Sequence, residues 1–234
     1  MSGHAGLALA MLAFVGTHLA MSHPLRRRLV LALGERAFAG LYSAVAIATL
    51  LWVILAWRAI ERPEPSWIAP LWYWQVASAL MLAASILLVG SLVRNPAFPN
   101  PRAGRVQAMR PATGVFAITR HPMNISFIIW ALVHISLWGS ARNMIVAGGI
   151  LILALAGSIG QDRKKRGLMG DAWRGWEART SFVPFAAILA GKIPWRAAAP
   201  GWIATVGGLL LWLAVTWYHA PLASPVGWVG RGLG

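Results

Sequence analysis

The apolar stretch AITRHPMNISFIIWALVHISLWG, residues 117–139, contains two histidines. His121 stands near its start beside Arg120, and His134 follows thirteen residues later, with tryptophans close by. An imidazole can carry a proton, form hydrogen bonds or ligate a metal ion. A titratable ring this deep in an apolar segment marks a candidate functional site, because lipid solvates it poorly. The plainer alternative is a ring packed against a neighbouring helix.

Helical periodicity groups several large side chains with His134. Counting in steps of three and four places five residues on one face of the segment: Met123, Phe127, Trp130, His134 and Trp138. This aromatic stripe could pack against protein, or it could form one wall of a slot for a flat apolar cofactor. At about 100° per residue, His121 points to a different face. We therefore do not expect the two rings to bind one ion, and each needs a partner from another helix.

The remaining composition narrows the chemistry. The chain has no cysteine, and its six acidic residues all fall in expected loops: Glu35, Glu61, Glu64, Asp162, Asp171 and Glu177. A disulfide framework, a thiolate metal site and a dicarboxylate or zinc hydrolase site are therefore not expected. Histidine beside a hydrophobic slot instead predicts haem, whose iron is commonly held by histidine. His134 is the candidate ligand. His18 in FVGTHLAMS, toward the end of the first apolar segment, is also flanked by apolar residues, and its plainer interpretation is a ring hydrogen-bonded to a neighbouring helix.

The elements that must position these residues are membrane helices. Hydrophobic residues make up 58% of the chain, charged residues 12%, and the mean hydropathy is +0.63, which is typical of a multi-spanning membrane protein. A helix needs about 20 residues to cross the hydrocarbon core, and backbone groups in lipid must be satisfied internally. We therefore predict an all-α polytopic bundle with six spans, at residues 4–20, 39–57, 71–93, 122–138, 143–160 and 199–217.

The basic residues predict the orientation of this bundle. Three alternate loops carry 4, 5 and 8 of the 21 Lys and Arg residues, so both termini are expected outside and these loops in the cytoplasm. This topology explains the net charge of +15 and argues against a nucleic-acid partner. The basic cluster follows the first apolar run instead of preceding it, which favours a retained helix over a cleaved signal. An excess of Arg over Lys indicates a bacterial cytoplasmic membrane, and the oligomeric state is left open.

The loops receive simpler predictions. The proline-rich stretch RNPAFPNPRAGRVQAMRPATG is expected to be a loop, because proline and glycine disfavour helix. Residues 163–196 are basic and amphipathic, and we expect an interfacial segment beneath the membrane. A transmembrane domain thus covers residues 1–220, and residues 221–234 form a short tail. The expected partners of the protein are the lipid bilayer and a hydrophobic small molecule, which would bind in the slot beside His134.

Several of these pieces carry a family resemblance. GTHLAMSHPLRRRLVLALGERAFAGLYS, ITRHPMNISFIIWALVHISLWG, DRKKRGLMGDAWRGWEARTSF and PFAAILAGK resemble the NnrU family and, more distantly, the plant and cyanobacterial 15-cis-zeta-carotene isomerases. The resemblance implies an integral membrane protein. In the isomerase branch it further implies haem b and action on a hydrophobic polyene, whereas the NnrU name comes from a protein linked to denitrification, which implies an accessory role.

The same resemblance assigns haem ligands. It implies His18, which precedes a Gly-Glu-Arg turn at residues 34–36, and His134, which follows an Ile-Trp pair ending at Trp130. The cysteine that precedes the second histidine in that branch is Ala131 here, so the isomerase's redox switching does not carry over. The predicted topology also puts His18 toward the cytoplasm and His134 toward the outside. His121 is then the alternative partner of His18.

A second resemblance supplies a rival interpretation. RHP opening a helix, followed later by GDAWRGWEARTSFVPF, is similar to membrane isoprenylcysteine and phospholipid methyltransferases. It implies S-adenosylmethionine bound near the cytoplasmic face through Arg120, His121 and Glu177. The chain lacks the tyrosine usual after this motif and has Asp162-Arg163 where two acids are common. A non-catalytic membrane scaffold is a third possibility.

Residues Arg120, His121 and Pro122 open the helix, and we call them the RHP mouth. Their physical chemistry is the same under all of these interpretations. An arginine at a helix N-terminus favours an anion, which could be a haem propionate, a cofactor carboxylate or a lipid phosphate. Arg120 could also simply anchor the helix at anionic headgroups.

Overall fold

The computed structural model describes residues 3–61, 65–98 and 100–219; the predicted tail at 221–234 lies outside these ranges. Within them the chain is helical, with one isolated bridge between Ile68 and Trp138. In chain order the helices are α1 (Gly3–Ser22), α2 (Arg26–Arg58), α3 (Leu71–Ser91), α4 (Pro101–Met109), α5 (Val115–Ile118), α6 (Pro122–Leu137), α7 (Ala141–Met169), α8 (Asp171–Arg179), α9 (Ala186–Leu189), a 3-10 turn (Trp195–Ala198) and α10 (Trp202–Tyr218).

The all-α membrane fold class is confirmed. Four helices, α1, α2, α3 and α7, are long and apolar enough to cross a membrane. The apolar helices α6 and α10 have 16 and 17 residues, fewer than a full span requires without local thinning of the bilayer. The protein is a multi-pass membrane protein, and the count of six spans with both termini outside stays a prediction.

The long helices lie in a row, in the order α2, α1, α7, α6, α3, α10. Adjacent α1 and α7 run parallel, because Met11 lies against Gly149 and His23 lies against Gly160. A Cβ at either glycine would collide with the facing side chain, so the two helices approach closely only because those side chains are absent. Helix α6 runs antiparallel to α7, since its first turn meets the far end of α7.

Two helices extend beyond the predicted spans. Helix α2 begins at Arg26, thirteen residues before the predicted start at 39, and Gly34 breaks it with a φ of 78°. Helix α7 continues past residue 160 to Met169, so the first part of the predicted interfacial segment is the basic end of a long helix. Hydropathy marks where a helix leaves lipid, whereas hydrogen bonding continues until a residue such as Gly170 at φ 58° ends it.

The prediction of a loop for the proline-rich stretch was wrong over α4. The Asn100 side chain accepts hydrogen bonds from the backbone N–H groups of Arg102 and Ala103, and Pro101 occupies the first helical position. Both features favour a helix start, because the missing proline N–H would be unpaired there in any case. Helix α4 packs on α7 and α8 at one end of the bundle. Trp173 and Trp176 of α8 are buried in the hydrophobic core at this end.

Candidate functional site

The sequence-predicted residues Arg120 and His121 meet at Asp162 of α7. The Arg120 Nε and Nη2 atoms lie 3.0 and 2.8 Å from Asp162 Oδ2, and His121 Nε2 lies 3.0 Å from Oδ1. The His121 side chain is fully buried, and those of Asp162 and Arg120 are 8% and 15% exposed. The anion that Arg120 meets is therefore a carboxylate of the protein itself.

Neighbouring polar groups hold this cluster in place. His121 Nδ1 lies 3.0 Å from Gln161 Oε1, and the Arg120 backbone N–H donates to the Ser181 carbonyl. The Asn124 side chain donates to the Ser158 hydroxyl at 2.8 Å, one turn further along the two helices. These bonds tie the start of α6 to the end of α7 and to the chain after α8. We conclude that the RHP mouth is a buried polar clamp between helices.

A small cavity adjoins the clamp. Its volume is about 60 Å³, and Arg120, His121, Asn124, Gln161 and Asn95 are among its lining residues. Polar walls of this kind suit ordered water, and the space is far too small for S-adenosylmethionine. Glu177, the third residue of the methyltransferase interpretation, binds Arg166 at 2.7 and 2.8 Å on the exposed side of α8. The structure does not gather Arg120, His121 and Glu177 around a common pocket.

His134 has a different environment at the opposite end of α6. Its Nδ1 atom lies 2.8 Å from the Trp130 carbonyl oxygen, and the two rings stack with centroids 4.2 Å apart. A carbonyl oxygen only accepts, so Nδ1 carries the proton and Nε2 of the neutral ring keeps its lone pair. No hydrogen bond reaches Nε2 within the described part of the chain. His219 is the nearest ring from another helix, at 5.9 Å between centroids.

The aromatic stripe around His134 stays partly open. Phe127 is 39% exposed and Trp138 is 36% exposed, while Met123, Trp130 and His134 are half-buried. Buried positions such as Ile125 and Val133 lie on other faces of the helix, whereas the small buried residue Ala131 borders the stripe. The stripe is therefore only partly covered by the rest of the bundle, and its exposed side is accessible to lipid or to a flat apolar ligand.

His18 is held in the same way as His134. Its Nδ1 atom lies 2.8 Å from the Phe14 carbonyl oxygen, which again leaves Nε2 as the free nitrogen. The ring packs against Phe14 and against Tyr42 of α2, with centroid distances of 4.3 and 5.5 Å. His18 thus faces the α1–α2 side of the row, whereas His134 faces the side where α10 ends.

The structure does not bring His18 and His134 together. On α7, His18 is level with about residue 155, by interpolation between the contacts of Met11 and His23 with their facing glycines. The His134 carbonyl accepts from Asn143, near the other end of α7. Twelve residues of helix correspond to about 18 Å at 1.5 Å per residue. His121, the alternative partner of His18, contacts Gln161 and Asp162 near the end of α7, at the depth of His23. It stands at the start of α6, which α7 separates from α1 and therefore from His18.

Two site residues were missed from sequence. Asp162 and Gln161 complete the buried polar clamp around Arg120 and His121. The sequence contained a signal for them, because both directly follow an apolar segment on the side of the membrane where the RHP mouth is expected. The prediction that all six acidic residues fall in loops was wrong for Asp162 in α7, Glu35 in α2, and Asp171 and Glu177 in α8. The sequence places His219 near the outer end of the last helix, on the side where His134 is also expected, but it does not predict that the two rings meet. Among the described residues, no group of three or more His, Cys, Asp or Glu side chains could hold a metal ion.

Comparison with known proteins agrees with the resemblance seen in the sequence. The chain is similar to the chloroplastic 15-cis-zeta-carotene isomerase of Arabidopsis thaliana, with 29% identity over 82% of this chain and 53% of that protein. It is also similar to the chloroplastic enzyme of the same name from Zea mays, with 37% identity over 34% of this chain and 22% of that protein. The chain thus spans about half the length, or less, of these relatives.

No solved structure matches the chain. The sequence pattern of the family described as NnrU protein matches residues 6–225. Because this match covers nearly the whole sequence, the chain belongs to the NnrU family.

Proposed function

We propose that this protein is a haem b-binding, isomerase-like membrane protein that acts on a hydrophobic polyene. The observation that carries the proposal is the state of His134, whose Nδ1 atom is committed to the Trp130 carbonyl and whose Nε2 atom is free. Histidines that ligate metals generally show this arrangement, because the Nδ1 hydrogen bond fixes the ring and its tautomer. The similarity to 15-cis-zeta-carotene isomerases supports the substrate class.

The residues around His134 fit one face of a haem group. Trp130 stacks on the ring and orients it, and the open aromatic stripe supplies the flat apolar wall that a porphyrin needs. Asn143 binds the His134 and Trp138 carbonyls and fixes the end of α6. If haem is bound, His134 would hold its iron, and the haem would supply an iron centre with accessible redox states.

A shared bis-histidine site with His18 does not fit this arrangement, because the two rings differ by about 18 Å along the helix axes. His18 has the same free Nε2 atom, so it stays a separate candidate ligand. In our proposal His134 would hold the haem iron, and Arg120 has no part in binding the haem, since its guanidinium is paired with Asp162. Its role is to fix the start of α6.

The cellular setting is part of the proposal. We place the protein in a bacterial cytoplasmic membrane with six spans, the two shorter apolar helices included. The asymmetry of Lys and Arg between alternate loops supports cytoplasmic exposure of α4 and α8. A polyene could then approach His134 laterally from lipid, along the exposed side of α6.

The activity is tested with purified protein in liposomes that contain 15-cis-zeta-carotene. We expect chromatography to show formation of a different geometric isomer, and we expect His134→Ala to abolish it. His4→Ala is the matched control, because His4 also lies in an apolar helix, but on α1, which α7 separates from α6. Protein that contains haem but leaves the polyene unchanged would contradict the isomerase assignment and favour an accessory role in denitrification.

A further inference from the structure

A cavity at the basic end of the bundle belongs to neither histidine site. Its volume is about 450 Å³, and it opens where the end of α3, the start of α5 and the start of α10 meet. Val115 and Phe116 give it an apolar floor. Trp202 and Ile203, which are 76% and 44% exposed, flank it on the side that continues along the apolar surface of α10.

Three arginines line this cavity: Arg94, Arg110 and Arg196. They come from three separate segments, yet the fold brings them around one space. None has an ion-pair or hydrogen-bond partner for its guanidinium within the described residues. The acidic residues described at this end are all committed elsewhere, in the pairs Glu35–Arg26, Asp162–Arg120, Glu177–Arg166 and Asp171–Arg174. The cavity therefore concentrates positive charge that no group in the described part of the protein neutralises.

Further hydrogen-bond donors accompany this charge. Trp176 lines the cavity and is 2% exposed, yet its indole Nε1 atom has no partner within the described part of the chain. A buried indole N–H normally finds an acceptor, so its isolation here is a second sign of a missing ligand. Gly201, which precedes the first residue of α10, has no side chain to cap the helix, so the free N–H groups of its first turn also lie at the cavity wall.

We propose that this cavity binds the phosphate group of an anionic amphiphile. Arginine is suited to this ligand, because its planar guanidinium can donate two parallel hydrogen bonds to phosphate oxygens. The apolar floor and the exposed apolar side of α10 suit the hydrocarbon portion of the same molecule. A cavity between apolar helices and a basic layer is also at the depth of lipid headgroups. S-adenosylmethionine is a poor occupant, because it carries a net positive charge.

The test is calorimetric titration of the full-length protein in detergent with short-chain phosphatidylglycerol below its critical micelle concentration. Phosphatidylcholine with the same chains and inorganic phosphate are the two comparison ligands. The variant Arg94→Gln/Arg110→Gln/Arg196→Gln removes the three cavity charges. The control Arg27→Gln/Arg28→Gln/Arg36→Gln removes three exposed charges from the same side of the protein that line neither described cavity. Trp176→Phe removes only the indole donor.

We expect saturable phosphatidylglycerol binding at least tenfold tighter than phosphatidylcholine binding, and weak binding of inorganic phosphate. The cavity triple variant should lose at least tenfold in affinity, Trp176→Phe a smaller factor, and the control triple variant little. Equal affinity for both lipids, or an equal loss in the two triple variants, would overturn the proposal. Phosphate binding as tight as that of the lipid would show that the ligand is a soluble anion and would overturn the amphiphile assignment. A melting curve for each variant identifies any loss that comes from misfolding.

Discussion

Arg120 and Asp162 form a two-pronged ion pair that joins the start of α6 to the end of α7, with both guanidinium contacts ending on the same carboxylate oxygen. Both side chains are largely buried, at 15% and 8% exposure. Removing one member of such a pair leaves a buried charge without a partner, which costs more than the pair itself contributes.

Asp162→Asn should therefore lower the free energy of unfolding by about 3 kcal/mol. Replacing both residues, as in Arg120→Met/Asp162→Leu, should restore part of that loss, because Arg120 no longer leaves an unpaired charge, whereas the buried His121 Nε2 atom still loses its carboxylate partner. Unfolding by SDS titration in detergent micelles measures both effects. Asp171→Asn is the control, since its carboxylate is 96% exposed in a surface pair with Arg174 and should change nothing measurable. A single variant no worse than this control would refute the clamp.

Gly208 sets the contact between α10 and α3. A Cβ built there would lie 2.6 Å from the Ile86 Cα and 2.8 Å from its backbone nitrogen, which cannot move aside as a side-chain tip could. Gly208→Ala should destabilise the protein by about 1–3 kcal/mol through overpacking.

Gly157 in α7 provides the matched control for this substitution. A Cβ there would meet nothing within 4 Å, so Gly157→Ala should leave stability unchanged or raise it slightly through helix propensity. The same micelle unfolding assay compares the two. Equal changes in the free energy of unfolding for the two alanine variants would contradict the close approach of α10 to α3 at Gly208.

His23, between α1 and α2, predicts a pH dependence of stability. Burial lowers the pKa of His23, and the Lys164 ammonium lowers it further. The folded protein then binds fewer protons at this ring than the unfolded chain does, so stability falls as pH drops below about 6.5 and levels off below the folded pKa. Melting temperatures between pH 7.5 and 5.0 should show this decline, His23→Gln should flatten it, and Lys164→Met should reduce it. A decline of unchanged slope in His23→Gln would assign it to another group.

The topology prediction is tested by truncation fusions to a reporter. Fusions after residues 105 and 175 should report the cytoplasm, because they follow basic segments in α4 and α8. A fusion after residue 61, beyond α2, should report the opposite side. Either of the first two fusions on the outside would contradict the orientation.

Local sequence patterns predicted the long helices, but the neighbours of each helix required the structure. Hydropathy located α3 and α6 to within about two residues, because lipid-facing segments must be apolar regardless of their neighbours. The start of α4 also had a local signal, Asn100 followed by a proline, which the proline content of the stretch concealed.

The distance between His18 and His134 could not be obtained in this way. Periodicity assigns a residue to a face, but the order of helices in the row decides which faces meet. Here α7 separates α1 from α6, so two histidines assigned to one haem by resemblance lie on different helix pairs. The pairing of Asp162 with Arg120 depends on the same tertiary contact.

The absorption spectrum of detergent-purified protein tests the central claim most directly, with haem per protein measured as the pyridine haemochrome. The account predicts a Soret band and haem b in the wild-type protein. It predicts loss of both in His134→Ala and retention in the matched control His4→Ala. His18→Ala and His219→Ala show whether either ring is a second ligand. Wild-type protein without haem, or full haem occupancy in His134→Ala, would contradict the account.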